Sequence, residues 1–297
     1  MNIPFYRLNL EQAFQTYVVD YFCAEYSRGL TPNPCIACNQ HLKFRLLLER
    51  ALSLDATYLA TGHYARIELT SDGYRLLKAK DALKDQTYFL FTLGQLELRH
   101  LLFPLGDLPK REVRALATQM KLPVADKPES QDLCFIPNRD YPAFLTQRLG
   151  VEPGETVNRH QEVLGRHQGA AFYTVGQRKG LNLITREPLY VIAIDASANR
   201  VIVGPEAMLF KQETHIGRVS WISGSPPAQL PRVRVKIRYR SPEAEALLIP
   251  ENGRTKVRFY QPQRAITPGQ AAVFYEGDRM LGGGIIEPVE SARSKSP

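Results

Sequence analysis

The sequence predicts an α/β domain followed by a small central β-rich domain and a C-terminal β-barrel, and three observations lead there. Up to residue 149 apolar residues recur mostly at helical spacing, broken by one short buried-strand run, Tyr58-Leu59-Ala60-Thr61. Beyond Gly150 turn residues become frequent, with short alternating apolar and polar runs between them. The 297 residues suffice for about two or three domains. The expected boundaries are 1–149, 150–206 and 207–297.

Composition narrows the class. With 44% hydrophobic and 23% charged residues, the chain is ordinary for a globular protein. No apolar run approaches the ~20 residues of a membrane span. The opening MNIPFYRLNL lacks the charged-then-apolar pattern of a signal peptide. A cytoplasmic location is therefore expected, where cysteines are more often catalytic or metal-bound than disulfide-bonded. The net charge of +8 serves solubility or a polyanionic partner such as nucleic acid.

Taken in order, Asn9 and Gln12 have the form of a capping box. Phe14, Val18, Tyr21, Phe22 and Cys23 follow at helical spacing, so Cys23 is expected in the core, and Gly29 suits a stop. A second helix is expected over 39–52, through Leu42, Leu46 and Leu47. The strand run ends at Gly62-His63, the position beyond a strand C-terminus where ligands gather in α/β layers. A hairpin around Ser71-Asp72-Gly73 is expected next. Lys84-Asp85-Gln86 then stands before an apolar run expected to be helical. Further helices are expected over 110–121 and 140–149, with Cys134 in a polar turn between them.

In the second half AAFYTV, PLYVIAI, RVIVG, HIGRVSWI, VRVKIRY, TKVRFY, QAAVFY and GGGII read as strands of small antiparallel sheets or a barrel. In RVRVKIRYR the residues Arg232, Arg234, Lys236, Arg238 and Arg240 alternate with mostly apolar ones, giving one basic and one buried face. With Lys211, Arg218 and Arg254 this face is expected to contact phosphates. Gly176-Gln177-Arg178-Lys179-Gly180 reads as a tight basic turn, and the tail SARSKSP as disordered.

The stretch 29–44, GLTPNPCIACNQHLKF, carries the chemistry. Its prolines hold Thr31 and Asn33 out of helix, so Cys35 and Cys38 sit where helix begins. Unpaired N–H groups at a helix start favour the thiolate. A structural zinc would need a second ligand pair that the sequence lacks. A thioredoxin-type motif would follow the first strand of a βαβ unit, whereas a helix and a proline turn precede this one. Two readings remain open. In one, Cys38 and Cys134 exchange a sulfane sulfur and close to a disulfide; in the other, Cys35, Cys38 and Cys134 hold an iron–sulfur cluster with one iron open.

TPNPCIACNQHLKF, LATGHYARI, LKDQTYFL, ESQDLCFIP, FYTVGQRKGL, RYRSPEA and AITPGQAAVFY occur in this order. Together they resemble the bacterial tRNA-specific 2-thiouridylases, the MnmA-type enzymes, over nearly the whole chain. The resemblance implies a PP-loop ATPase-type domain, a small central domain and a C-terminal barrel. It implies a reaction in which ATP adenylates C2 of the wobble uridine of tRNA and sulfur arrives from a cysteine persulfide, delivered by a sulfur-donor protein. By position, Cys38 matches the nucleophile, Cys134 the persulfide carrier and Gly62 an ATP contact. Asn33, Pro34 and Cys35 match target-base contacts. His63, Lys84, Asp85, Gln86, Arg238, Tyr239 and Gln270 match further tRNA contacts.

Two departures from the pattern accompany it. No Ser-Gly-Gly-x-Asp-Ser loop occurs in the sequence, so the α/β domain is expected to be truncated, lacking its first strand and main phosphate anchor. A tRNA-binding module without thiolation activity is the alternative this raises. Many members carry Asp where this chain has Cys35, which keeps [4Fe-4S] chemistry beside the persulfide route.

Overall fold

The structure is a computed structural model of the chain, described for residues 3–288 except 128–132, 137, 139, 218, 228–231 and 252. The expectations for Arg218 and for the SARSKSP tail lie outside the described residues.

Helix α1 is one run over 11–27, built of Glu11–Phe14, a π-type middle Gln15–Asp20 and Tyr21–Ser27. Asn9 Oδ1 accepts the Glu11 N–H at 2.9 Å, and the reciprocal bond of a capping box is absent among the described residues. Cys23 is buried with Val19, Phe22, Tyr26, Phe144 and Leu145. Gly29, at φ 74°, follows the helix in left-handed geometry.

Helix α2 spans 34–52 as Pro34–Ala37, a π-type segment Cys38–Leu47 and Leu48–Leu52. It begins five residues earlier than expected, because Pro34 occupies a first-turn position and Asn33 caps it, accepting the Cys35 N–H at 3.1 Å. The two thiols are therefore in the helix itself, and the switch to π-type spacing, frequent at functional sites, occurs at Cys38.

Strand β1 (Leu59–Ala60) pairs parallel with β4 (Leu101–Leu102) in a two-stranded sheet. Between them lies the expected hairpin, β2 (Ala65–Thr70) and β3 (Gly73–Lys78). The apolar run after Gln86 is not a helix. It forms a 3-10 turn, Thr87–Phe89, then irregular chain, with Tyr88 and Leu90 wholly buried. An apolar run without helical period is buried on all sides, and neighbouring elements then dictate its path. Short helices α3 (Gln95–Leu98), α4 (Lys110–Gln119) and α5 (Tyr141–Leu149) complete this part. Asp140 caps α5 by accepting the Ala143 N–H at 3.0 Å.

Strands β5 (Gly154–Val157), β6 (Val163–His167), β7 (Tyr190–Asp195) and β8 (Arg200–Gly204) form a four-stranded sheet in the order β6-β5-β8-β7. The β5–β8 pair is parallel, so this sheet is mixed rather than antiparallel throughout. AAFYTV, expected as a strand, is a 3-10 turn over Ala170–Phe172 and a loop. The 176–180 segment is a tight turn, with positive φ at Gly176 and Gly180.

The remaining strands are β9 (Phe210–Ile216), β10 (Ser220–Trp221), β11 (Val233–Lys236), β12 (Ala244–Glu251), β13 (Arg254–Arg264), β14 (Ala271–Glu276) and β15 (Arg279–Ile285). They run β15-β14-β11-β12-β13-β9, and the Ile216↔Ile286 bridge closes the ring. The inner face holds Val233, Val235, Leu248, Val257, Phe259 and Phe274. The other face of β14 presents Ala271, Val273 and Tyr275 to a core containing Tyr88, Leu90 and Leu76. With both faces covered, β14 reads as an unbroken apolar run.

The β2–β3 hairpin extends the barrel sheet, with Leu76 and Leu77 pairing Met280 and Arg279. The α/β portion and the barrel thus share one sheet and one core.

Candidate active site

Three thiols from two distant stretches line one cavity of about 230 Å³. Cys35 and Cys38 come from the first turns of α2, and Cys134 from the turn between α4 and α5. Phe135, next to Cys134, fixes that turn. Its ring meets Phe14, Phe22 and Phe144 with centroids 5.8, 5.3 and 5.5 Å away, edge-to-face contacts that anchor a loop well. Pro34, His63 and Gln86 also line the cavity, as do Phe14, Val18, Asn39, Lys43, Phe89, Leu133 and Phe135. The volume falls below the ~300–1,000 Å³ typical of pockets for drug-sized ligands. It suits one flat base among aromatic walls.

All four cysteines are free thiols. The expectation of thiolates stabilised at a helix start is corrected by the surroundings. Cys35 keeps solvent-accessible surface, yet the crowding of its sulfur by the cavity wall is the largest influence and pushes it up, helped by Cys134 and Cys38. Cys38 is also pushed up, by burial first and by Cys134, with Lys43 acting in the opposite direction. Loss of hydration outweighs the partial charge of the helix end.

His63 is buried, with Nδ1 2.7 Å from Thr61 Oγ1 and its ring near Phe44 and Phe103. Burial first, then Lys43, pull its pKa down to about 4, so it is a neutral hydrogen-bonding group at physiological pH. Gln86 is held by its backbone N–H donating to Tyr64 O and its Oε1 accepting the Tyr64 N–H, both at 2.9 Å.

Other residues singled out from the sequence lie elsewhere. Asn33 lines a neighbouring cleft of about 670 Å³ with Tyr17, His41 and Trp221. Gly62 is exposed at the tip beyond β1. An added Cβ there would make only ordinary contact with Leu105, 3.6 Å away, so packing does not demand glycine. Lys84 is half-buried in the turn before Asp85. Asp85 is buried, and its carboxylate accepts from Ala79 N–H (3.0 Å) and Thr87 Oγ1 (2.7 Å), which ties down the loop rather than facing a ligand.

Arg238 corrects the alternating basic face. Strand β11 ends at Lys236, and the Arg238 guanidinium turns inward to donate to Val175 O, Ala265 O and Thr267 Oγ1. Tyr239 packs on Phe89, centroids 4.4 Å apart. Gln270 donates Nε2–H to Thr31 O at 2.7 Å, and Thr31 N–H donates to Pro268 O at 2.9 Å, so a barrel loop grips the segment leading into α2. These residues join domains and set the cavity wall indirectly.

The sequence reading missed Asn39 and Lys43. Both belong to NQHLKF, expected only as the start of a helix over 39–52, and π-type spacing after Cys38 cannot be read from residue order. Among the described residues no group of three or more His, Cys, Asp or Glu side chains is arranged to hold a metal ion. As placed, the three thiols do not fit a cluster ligand set.

Comparison with known proteins bears on this geometry. Residues 1–138 match the domain described as "tRNA methyl transferase HUP domain", 142–205 the "tRNA methyl transferase PRC-barrel domain" and 211–286 the "Aminomethyltransferase beta-barrel domain". The chain is 48% identical to the "tRNA-specific 2-thiouridylase MnmA" of Acidithiobacillus ferrooxidans (strain ATCC 53993 / BNL-5-31), over 98% of this chain and 84% of the relative. The chain belongs to the tRNA-specific 2-thiouridylase family. The Geotalea uraniireducens member is 48% identical over 97% of this chain and 77% of its own. "MnmA 1" of Caldanaerobacter subterraneus subsp. tengcongensis is 49% identical, over 97% and 80%. In this family member no described helix is long and apolar enough to cross a membrane.

Proposed function

We propose that the chain is a tRNA-uridine 2-sulfurtransferase that replaces O2 of a tRNA uridine by sulfur. The observation that carries this reading is the convergence of Cys38 and Cys134 on one base-sized cavity. Cys134 carries the sulfane sulfur as a persulfide, and Cys38 resolves it. The terminal persulfide sulfur loses its proton and attacks C2, displacing the activated oxygen. The Cys38 thiolate then attacks the Cys134 sulfur, the sulfur–sulfur bond to the base breaks and its electron pair stays on the base as 2-thiouridine. A Cys38–Cys134 disulfide is left, and an external dithiol reduces it.

ATP is the co-substrate that turns the C2 oxygen into a leaving group. Gly62, open and free of packing demands, is the described residue proposed to approach it. Neutral His63 and the fixed Gln86 offer hydrogen bonds to an extruded base, whose unstacking costs a few kcal/mol. The roles of Asn33, Pro34, Cys35, Lys84, Asp85, Arg238, Tyr239 and Gln270 are proposed as holding this wall and the tRNA around it, with a sulfur-donor protein loading Cys134. A cytoplasmic location follows from a tRNA substrate. The proposed units remain 1–149, 150–206 and 207–297.

The test is nucleoside mass spectrometry of tRNA incubated with the full chain, ATP and a low-molecular-weight persulfide, which passes its outer sulfur to Cys134 and leaves as a thiolate, with a limiting dithiol to reduce the disulfide that closes each turnover. Formation of 2-thiouridine is expected, with none from Cys38→Ser or Cys134→Ser. Undiminished 2-thiouridine from Cys134→Ser overturns the sulfur route. Binding of tRNA without any thiolation by the unaltered chain points instead to a binding module.

A further inference from the structure

Lys43 lies on α2, on the same wall as Cys35 and Cys38, and lines the thiol cavity. Its side chain is half-buried, and it has no carboxylate partner among the described residues. The ionisable groups that line the cavity with it are Cys35, Cys38, Cys134 and His63. No Asp or Glu joins them among the described residues, and His63 is neutral at physiological pH. Among the described residues Lys43 is thus the single cation lining a cavity whose chemistry runs through anionic sulfur.

We propose that Lys43 is the charge partner of the cavity thiols, a positioning residue that keeps Cys38 and Cys35 able to ionise inside a desolvated wall. The proposal rests on the sulfur-transfer reading for its purpose, but its physical content is independent of turnover. Burial, together with Cys134, opposes ionisation of both thiols, and Lys43 is the cation acting against it. An ammonium there offsets part of that desolvation, and it attracts the persulfide anion by the same field. An aliphatic stem on the helix with a charged tip at the cavity is the usual posture of a half-buried lysine.

The experiment measures thiol alkylation by iodoacetamide against pH in the full chain, read by peptide mass spectrometry, in a Cys35→Ser background so that Cys38 reports alone. Lys43→Met is expected to move the Cys38 midpoint up by about one pH unit, a roughly tenfold loss of thiolate at fixed pH below the midpoint. Lys43→Arg is expected to restore it. Should Lys43→Met fail to fold, Lys43→Gln gives the same reading with a polar stem. An unchanged midpoint in a folded Met or Gln variant, or no rescue by Arg, overturns the proposal. This result is separable from failure of the sulfur route: thiolation surviving Cys134→Ser removes that route, while the alkylation shift still decides what Lys43 does.

Discussion

His63 packs at a tilt against Phe44 and edge-to-face with Phe103, with Lys43 as its cationic neighbour. Its pKa of about 4 lies below the unperturbed value of 6.5, so protonation is harder in the folded chain than in the unfolded one. The stability tied to this neutral histidine is complete above pH 6.5 and is lost as pH falls through that value toward 4. The window is on the order of 3 kcal/mol deep. Thermal melts of His63→Gln are expected to decline less with acid over that range than those of the unaltered chain; parallel declines would mean that other groups dominate. A second expectation at this scale concerns sulfur. Cys134→Ser should remove thiolation and leave tRNA affinity within twofold or so, since one thiol contributes little to a phosphate-dominated interface.

At the scale of elements, α2 is positioned at its N-terminal end, by its cap and by the barrel loop behind it. Asn33 caps it, and Asn33→Ala is expected to cost about 1 kcal/mol, seen as a lower denaturation midpoint. Behind the cap, Gly269 takes φ 89°, and a Cβ there would come within 2.7 Å of Thr31 N. Gly269→Ala is therefore expected to destabilise by roughly 1–3 kcal/mol and to lower thiolation more than its stability loss explains, because the barrel loop then lifts from the approach to Cys35. Chemical denaturation paired with the nucleoside assay checks both. Much of this element scale was legible in residue order. The Ser71-Asp72-Gly73 turn, the apolar stripe through Cys23 and the alternation of β11, β12 and the start of β13 formed, whereas AAFYTV is not a strand and β14 is buried on both faces. The apolar run after Gln86 misled because burial on every side erases period, and Arg238 because a strand's end is set by its neighbours' length. The meeting of Cys38 with Cys134 stood as one of two open readings of the thiols, and motif likeness gave each its role, since local pattern carries no information about contacts so distant in sequence.

Over the whole molecule, charge is uneven in its availability. Many outer cations are already paired, as in Arg258–Glu213, Arg264–Glu206 and Arg200–Glu155. Arg232 is shared between Glu245 and the face of Tyr260. Arg234 and Arg240 are exposed and have no ion pair among the described residues. Affinity for tRNA is expected to fall ~10³-fold or more between about 50 and 200 mM salt if about six phosphates are contacted. Arg234→Glu should weaken binding at low salt and flatten the slope by about one; filter binding across a salt series measures both, and an unaltered slope would remove β11 from the interface.

The joining of β3 to β15 has a consequence for how the polypeptide is made. Leu77 finds Arg279 only after about 200 further residues have left the ribosome, a delay of roughly 10–40 s at ordinary translation speeds. Until then the nascent hairpin has an unsatisfied outer strand and Leu76 lacks its cover, a state inviting chaperone capture. A frameshift near the 3′ end of the message would therefore harm the half of the protein translated first.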